Sequence, residues 1–112
     1  MGPIHLVVGG VSHWTTQDTL QKYVSFFSSC VDYSQNEVVF IDRDPTHFRH
    51  ILNYLRGTPT YPSRVNELTE LVYEAEFYAL FEFATLIKNK AADTHKNTIE
   101  HWMSLLVNKI NM

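Results

Sequence analysis

Cysteine is almost missing from this sequence: Cys30 is the only one in 112 residues. No disulfide can close within one chain, and no Cys-rich zinc site can be built from it. A reducing compartment fits that usage. Apolar runs stay far short of the roughly 20 residues that cross a bilayer. The opening, MGPIHLVVGG, has no basic stretch of the kind that starts a secretory signal. It begins Met-Gly, but Leu6 stands where N-myristoylation wants Ser or Thr. No Asn-x-Ser/Thr glycosylation acceptor occurs. Basic charge is in deficit, with 9 Lys and Arg against 12 Asp and Glu, a formal net charge of -3. Neutralising phosphates needs the opposite balance, so a general nucleic-acid binder is not expected.

Apolar residues make up 45% of the chain and charged residues 19%, which reads as globular, and the length fits one domain. Two β-prone runs, Ile4 to Val8 and Val11 to Thr16, flank Gly9-Gly10 and predict a hairpin. Thr19 is placed to cap a short helix through Leu20, Tyr23 and Val24, with Phe26 and Phe27 entering the core. Ser28 to Asn36 reads as a loop. Val38 to Ile41, four apolar residues in a row, predicts a third strand buried on both faces. Asp44 followed by Pro45 reads as a helix start, with Phe48, Ile51, Leu52 and Leu55 on one stripe and Gly57 closing the helix. A second helix starts near Val65 and buries Leu68, Leu71, Val72 and Ala75. A tight junction at Phe77 to Leu80 leads to a third, carrying Phe81, Ala84, Leu86 and Ile87. Lys88 to Lys96 reads as a loop or helix end, before a last amphipathic helix bearing Ile99, Trp102, Met103, Leu106, Val107 and Ile110. The expected class is α/β (α+β-like), a small, mostly N-terminal sheet flanked by a helical layer.

Sites of chemistry are sparse. Gly9-Gly10 is followed by no phosphate-binding pattern, and no HExxH arrangement occurs among the six histidines. His47 and His50, three apart beside the buried stripe, are expected to face solvent or a partner. Cys30 reads as a buried or half-buried thiol with no base positioned beside it. For the tail, packing back on the parent domain is the favoured reading; the alternative makes Trp102, Met103 and Leu106 a partner-binding face.

The segments HLVVGG, Thr15, Thr19-Leu20, VVFIDRDPTHFRHILNYLRG, Pro62 and LVYEAEFYAL together resemble the BTB/POZ superfamily, in its potassium-channel tetramerisation-domain branch. The central block is the most distinctive. The likeness runs from Ile4 to about Leu86, which sets an expected BTB/POZ domain at 1–90 and a C-terminal helical extension at 91–112. His13 departs from the pattern: it stands where the family usually has Phe, with Trp14 next to it.

The resemblance implies a non-enzymatic domain that forms a tetramer or pentamer ring. Its function would be that of a substrate adaptor engaging a cullin scaffold protein for a ubiquitin ligase, or of the cytoplasmic tetramerisation domain of a potassium channel or other membrane protein. A small metal-dependent hydrolase is the remote alternative. Some channel members hold interface zinc with a His and several Cys; a lone Cys30 does not reproduce that set, so no metal and no cofactor are expected. Polar contacts between subunits are implied for Asp42 and Arg43, with Asp44, Arg49 and Arg56 as further interface candidates. Reversing the charge of Arg43 is then expected to weaken assembly and spare the fold. A cytoplasmic or nuclear location follows, or the cytosolic face of a membrane for a channel fragment.

Overall fold

Three strands and five helices follow one another: β1 (Ile4–Val8), β2 (Val11–Thr15), α1 (Gln17–Leu20), α2 (Phe26–Ser29), β3 (Val38–Ile41), α3 (Phe48–Leu55), α4 (Val65–Phe77) and α5 (Phe81–Ile110). This computed structural model describes residues 3–33 and 38–110, and side chains as far as Val107. The loop expected at residues 34–36 and the place of the Ile110 side chain on the tail stripe therefore lie outside the described residues.

β1 and β2 form the expected antiparallel hairpin, and β3 adds to the other side of β1 in parallel, giving the order β2-β1-β3. Alternation along β1 sends Ile4, Leu6 and Val8 into the core. Both faces of β3 were expected to be buried, and they are not. Val38 is 40% and Phe40 77% exposed, while Ile41 is buried. The core lies on one face of the sheet, so only one face of this edge strand is covered. Trp14 joins Val38 and Phe40 on the bare side, stacked on His5 with centroids 4.4 Å apart.

Gly9 explains why the hairpin needs glycine at its first turn position. Its φ is +53°, and a Cβ there would collide with the Arg43 carbonyl and the Pro45 ring. Its N–H donates to the Ile41 carbonyl at 3.0 Å, so the first turn is fastened to the end of β3.

Several helix boundaries differ from the sequence reading. Thr16, not Thr19, caps α1, its hydroxyl accepting from the Thr19 N–H at 3.2 Å. Val24 is outside that helix and 88% exposed. Ser25 caps α2 in a capping box with Ser28, which turns Ser28 and Ser29 from expected loop into helix. Cys30 ends that helix and is exposed, against the expectation of a buried or half-buried thiol. Asp44 caps a turn before α3: its carboxylate accepts from the Thr46 N–H at 2.8 Å and from the Thr46 hydroxyl, and the helix starts at Phe48.

The core stripes expected on α3 and α4 hold. On α5 Ala84 and Ile87 are buried but Phe81 and Leu86 are exposed, and Phe83 fills the core instead. Phe48, Ile51, Leu52 and Leu55 on α3 and Leu68, Leu71, Val72 and Ala75 on α4 are buried with Phe83, Ala84 and Ile87 of α5. The α4–α5 corner turns at Ala79, whose φ is +58°. The largest correction concerns Lys88 to Lys96, expected as a loop or helix end. No Gly or Pro interrupts the stretch, and α5 runs through it unbroken for 30 residues.

Leu52 is 2% exposed within this core, so Leu52→Ala is expected to cost about 2–5 kcal/mol in urea-denaturation stability. His13 gives a second prediction. It faces Leu6 across the hairpin and packs on Phe48 (centroids 4.9 Å), with Nε2 buried and unbonded among the described residues. Burial first, and then the Arg56 charge, lower its pKa. The folded state thus favours neutral imidazole. That stability is present above pH 6.5 and is lost as the pH falls below it. His50 shifts the same way, from burial and then the charges of Arg49 and His47. His13→Phe is expected to flatten part of the loss of denaturation midpoint between about pH 7.5 and 5.5.

Candidate interaction surfaces

Arg43 is held inside its own chain. Nε and Nη2 grip the two oxygens of Glu74 on α4, with Nε–Oε1 at 3.2 Å, and the guanidinium lies 4.1 Å from the centroid of the Phe77 ring. A bidentate carboxylate and an aromatic face are the contacts a planar guanidinium makes best. Asp42 and Arg49 are exposed and Arg56 donates to the Trp14 carbonyl at 3.0 Å. Asp44 is exposed too; the hydrogen bonds from the Thr46 side chain and backbone lower its pKa. The contacts of three of the five charged candidates lead to different elements: Arg43 to α4, Arg56 to β2, Asp44 to its own turn.

The histidines of α3's first turns are not free, contrary to the expectation. His47 is buried, with Nε2 3.2 Å from Glu70 Oε1, and His50 is half-buried, with Nδ1 2.7 Å from the Thr60 hydroxyl. His47 thus ties the start of α3 to α4, and His50 ties it to the connector between the two helices. Among the described residues no three of His, Cys, Asp and Glu converge as metal ligands. No helix among them is long and apolar enough to cross a membrane.

An apolar corner was not foreseen. Tyr78 is fully buried there, stacked on Phe27 (5.0 Å, 14°) and edge-on to Phe48, and its carbonyl accepts from the Phe26 N–H at 2.9 Å. Around it Val24 (88%), Phe77 (41%) and Phe81 (63%) stay exposed. They edge two neighbouring hollows, one lined by Tyr23, Tyr54, Leu80 and Glu82, the other by Phe26, Ser29 and Cys30. Helical periodicity hides this group, because Ala79 breaks the helix between Phe77 and Phe81 and Val24 lies in a separate loop.

The tail stands away from its parent domain, contrary to the expectation that it packs back on it. α5 packs on the core as far as Ala91, and Lys90 lies over the Tyr61 ring at 4.9 Å. Beyond it Ile99, Trp102, Met103, Leu106 and Val107 are 44–61% exposed on an arm that gives the molecule a 70 Å long axis.

Arg43→Glu consequently attacks the fold, not only a surface: it faces Glu74 with a like charge and uncovers Phe77. It is expected to cost about 1–3 kcal/mol of stability by chemical denaturation. The exchange Arg43→Glu with Glu74→Arg is expected to recover part of that loss, which a double-mutant cycle measures.

A profile of the BTB/POZ domain matches residues 4–87. The BTB/POZ domain-containing adapter for CUL3-mediated RhoA degradation protein 1 of Danio rerio is 41% identical over 85 residues, covering 69% of this chain and 26% of that protein. SH3KBP1-binding protein 1 of Bos taurus is 42% identical over 84 residues, covering 69% of this chain and 12% of the other. The FH protein interacting protein FIP2 of Arabidopsis thaliana is 36% identical over 95 residues, 77% of this chain and 32% of its own length. The chain thus spans about a third or less of these relatives. From the first residue of β1 to Ile87 on α5 the profile follows the folded core, and the chain belongs to the BTB/POZ family, in its potassium-channel tetramerisation-type branch.

Proposed function

We propose that this domain is a non-catalytic adaptor that assembles with copies of itself as a tetramer or pentamer ring and docks a cullin scaffold, holding a recruited protein close to a ubiquitin ligase. The observation that carries this reading is the exposed apolar corner of Val24, Phe77 and Phe81. Exposed aromatics at the edge of a concave surface are what a partner's apolar side chains bury against. A relative of the same branch is named as an adapter for CUL3-mediated degradation, which supports a cullin as the occupant. Such a domain performs no bond chemistry; it raises the effective concentration of target and ligase.

Self-assembly draws support from the bare face of the sheet, where Trp14, Val38 and Phe40 stand exposed. Asp42 and Arg49, exposed and free of the intrachain clamp that holds Arg43, are the charged residues best placed to set subunit register. The ring would sit in the cytoplasm, where a cullin is met.

Two measurements test the proposal. Light scattering on the full chain is expected to give a mass of four or five subunits; a concentration-independent monomer overturns the assembly claim. Pull-down with a purified cullin N-terminal region is expected to succeed with the native chain. Phe81→Glu is expected to weaken it at least about tenfold while leaving mass and thermal midpoint in place. Absence of binding by the native chain at concentrations on the order of tens of micromolar overturns the cullin reading.

A further inference from the structure

The projecting half of α5 has little of its own to keep it helical. Its one ion pair among the described residues, Lys96 to Glu100 at 3.9 Å, is exposed and runs in the weaker order, with the base N-terminal to the acid. Thr94 and Thr98 return their hydroxyls to the carbonyls of Lys90 and Thr94, a contact that slightly weakens a helix. In water most of a helix's stability comes from packing an apolar face. Past Ala91 none of its described apolar side chains packs against the core.

The apolar face is set apart from the side that meets the core. At about 100° per residue, Phe83, Ala84, Ile87 and Ala91 centre on one bearing, and Ile99, Met103 and Leu106 centre roughly 100° away. The stripe is therefore not a frayed continuation of the core side. Its spacing is that of a coiled-coil seam: Ile99, Met103, Leu106 and, in the sequence, Ile110 are separated by four, three and four residues. Placed at d, a, d and a, they put His95 and Trp102 at g, and Glu100 and Val107 at e. In a parallel pair each g meets the e five residues on in the other chain. His95 then meets Glu100, and Trp102 meets Val107: a basic group opposite an acid, and an apolar group opposite an apolar one.

From this we infer that the arm of α5 packs against the same arm of the neighbouring copies, parallel and in register, with Ile99, Met103 and Leu106 in the seam. Two heptads are short for an independent coiled coil. The inference therefore rests on the assembly proposed above: subunits already joined through the domain hold their arms at high local concentration, and the seam then closes.

The test uses the full chain with Cys30→Ser, so that one introduced thiol is the only one. Met103→Cys places a thiol in the seam; Ser104→Cys places it one residue on, at an outer position. Under mild oxidation Met103→Cys is expected to form interchain disulfides at least about tenfold faster than Ser104→Cys. Met103→Glu with Leu106→Glu is expected to lower the helical circular-dichroism signal of the assembled chain. Equal cross-linking rates, or none, in a chain that light scattering shows to be oligomeric overturn the seam alone and leave the stripe to a different protein. A monomeric native chain overturns both the seam and the assembly beneath it.

Discussion

The buried ring of Tyr78 is the contact on which the other arrangements depend. It closes α4, stacks on Phe27 and meets Phe48 edge-on, so one side chain joins α2, α3 and the α4–α5 corner. Its carbonyl receives the Phe26 N–H, fastening α2 to the same corner through the backbone. Desolvation in this position raises the phenol's pKa, keeping the ring neutral in the core. With Tyr78 fixed, Ala79 must turn the chain sharply, and the turn decides both where Phe81 emerges and along which line α5 departs.

Arg43 shows how the same corner ties the charged linker to the core. Gly9 lets the hairpin press against the Arg43 carbonyl, and Glu74 and Phe77 take the guanidinium from the other side. The linker between β3 and α3 is thus held from the sheet and from α4 at once. That leaves its neighbour Asp42 exposed to whatever lies outside.

Much of the fold was legible because it is written in short-range patterns. Alternation marked β1, the Gly pair marked its turn, and the spacing of Phe48, Ile51, Leu52 and Leu55 marked α3. The distinctive block after Val38 named the family. What escaped detection depends on distant partners. Nothing near Arg43 in sequence announces Glu74, 31 residues on. Val38 to Ile41 reads as buried on both sides because four apolar residues look alike whether or not a second layer covers them. The polar run from Lys88 to Lys96 looks like a loop, yet a solvated helix surface has the same composition. Val24, Phe77 and Phe81 share no period, and only the corner brings them together. Likeness points to Asp42 and Arg43, and helical spacing adds Arg49 and Arg56; their contacts divide them, for Arg43 is committed within the chain, while Asp42 and Arg49 stay exposed.

Because α5 has no break between Phe83 and Met103, the bearing of the outer stripe relative to the domain is fixed by residue count alone. Each residue inserted or removed between Ala91 and Ile99 would swing the stripe by about 100°, so a change of two would carry it to the far side of the helix. A change of seven would return it to within about 20°. The length of this stretch is therefore quantised: it can drift freely in composition, but it can lengthen or shorten only in steps of about seven residues, two turns of the helix.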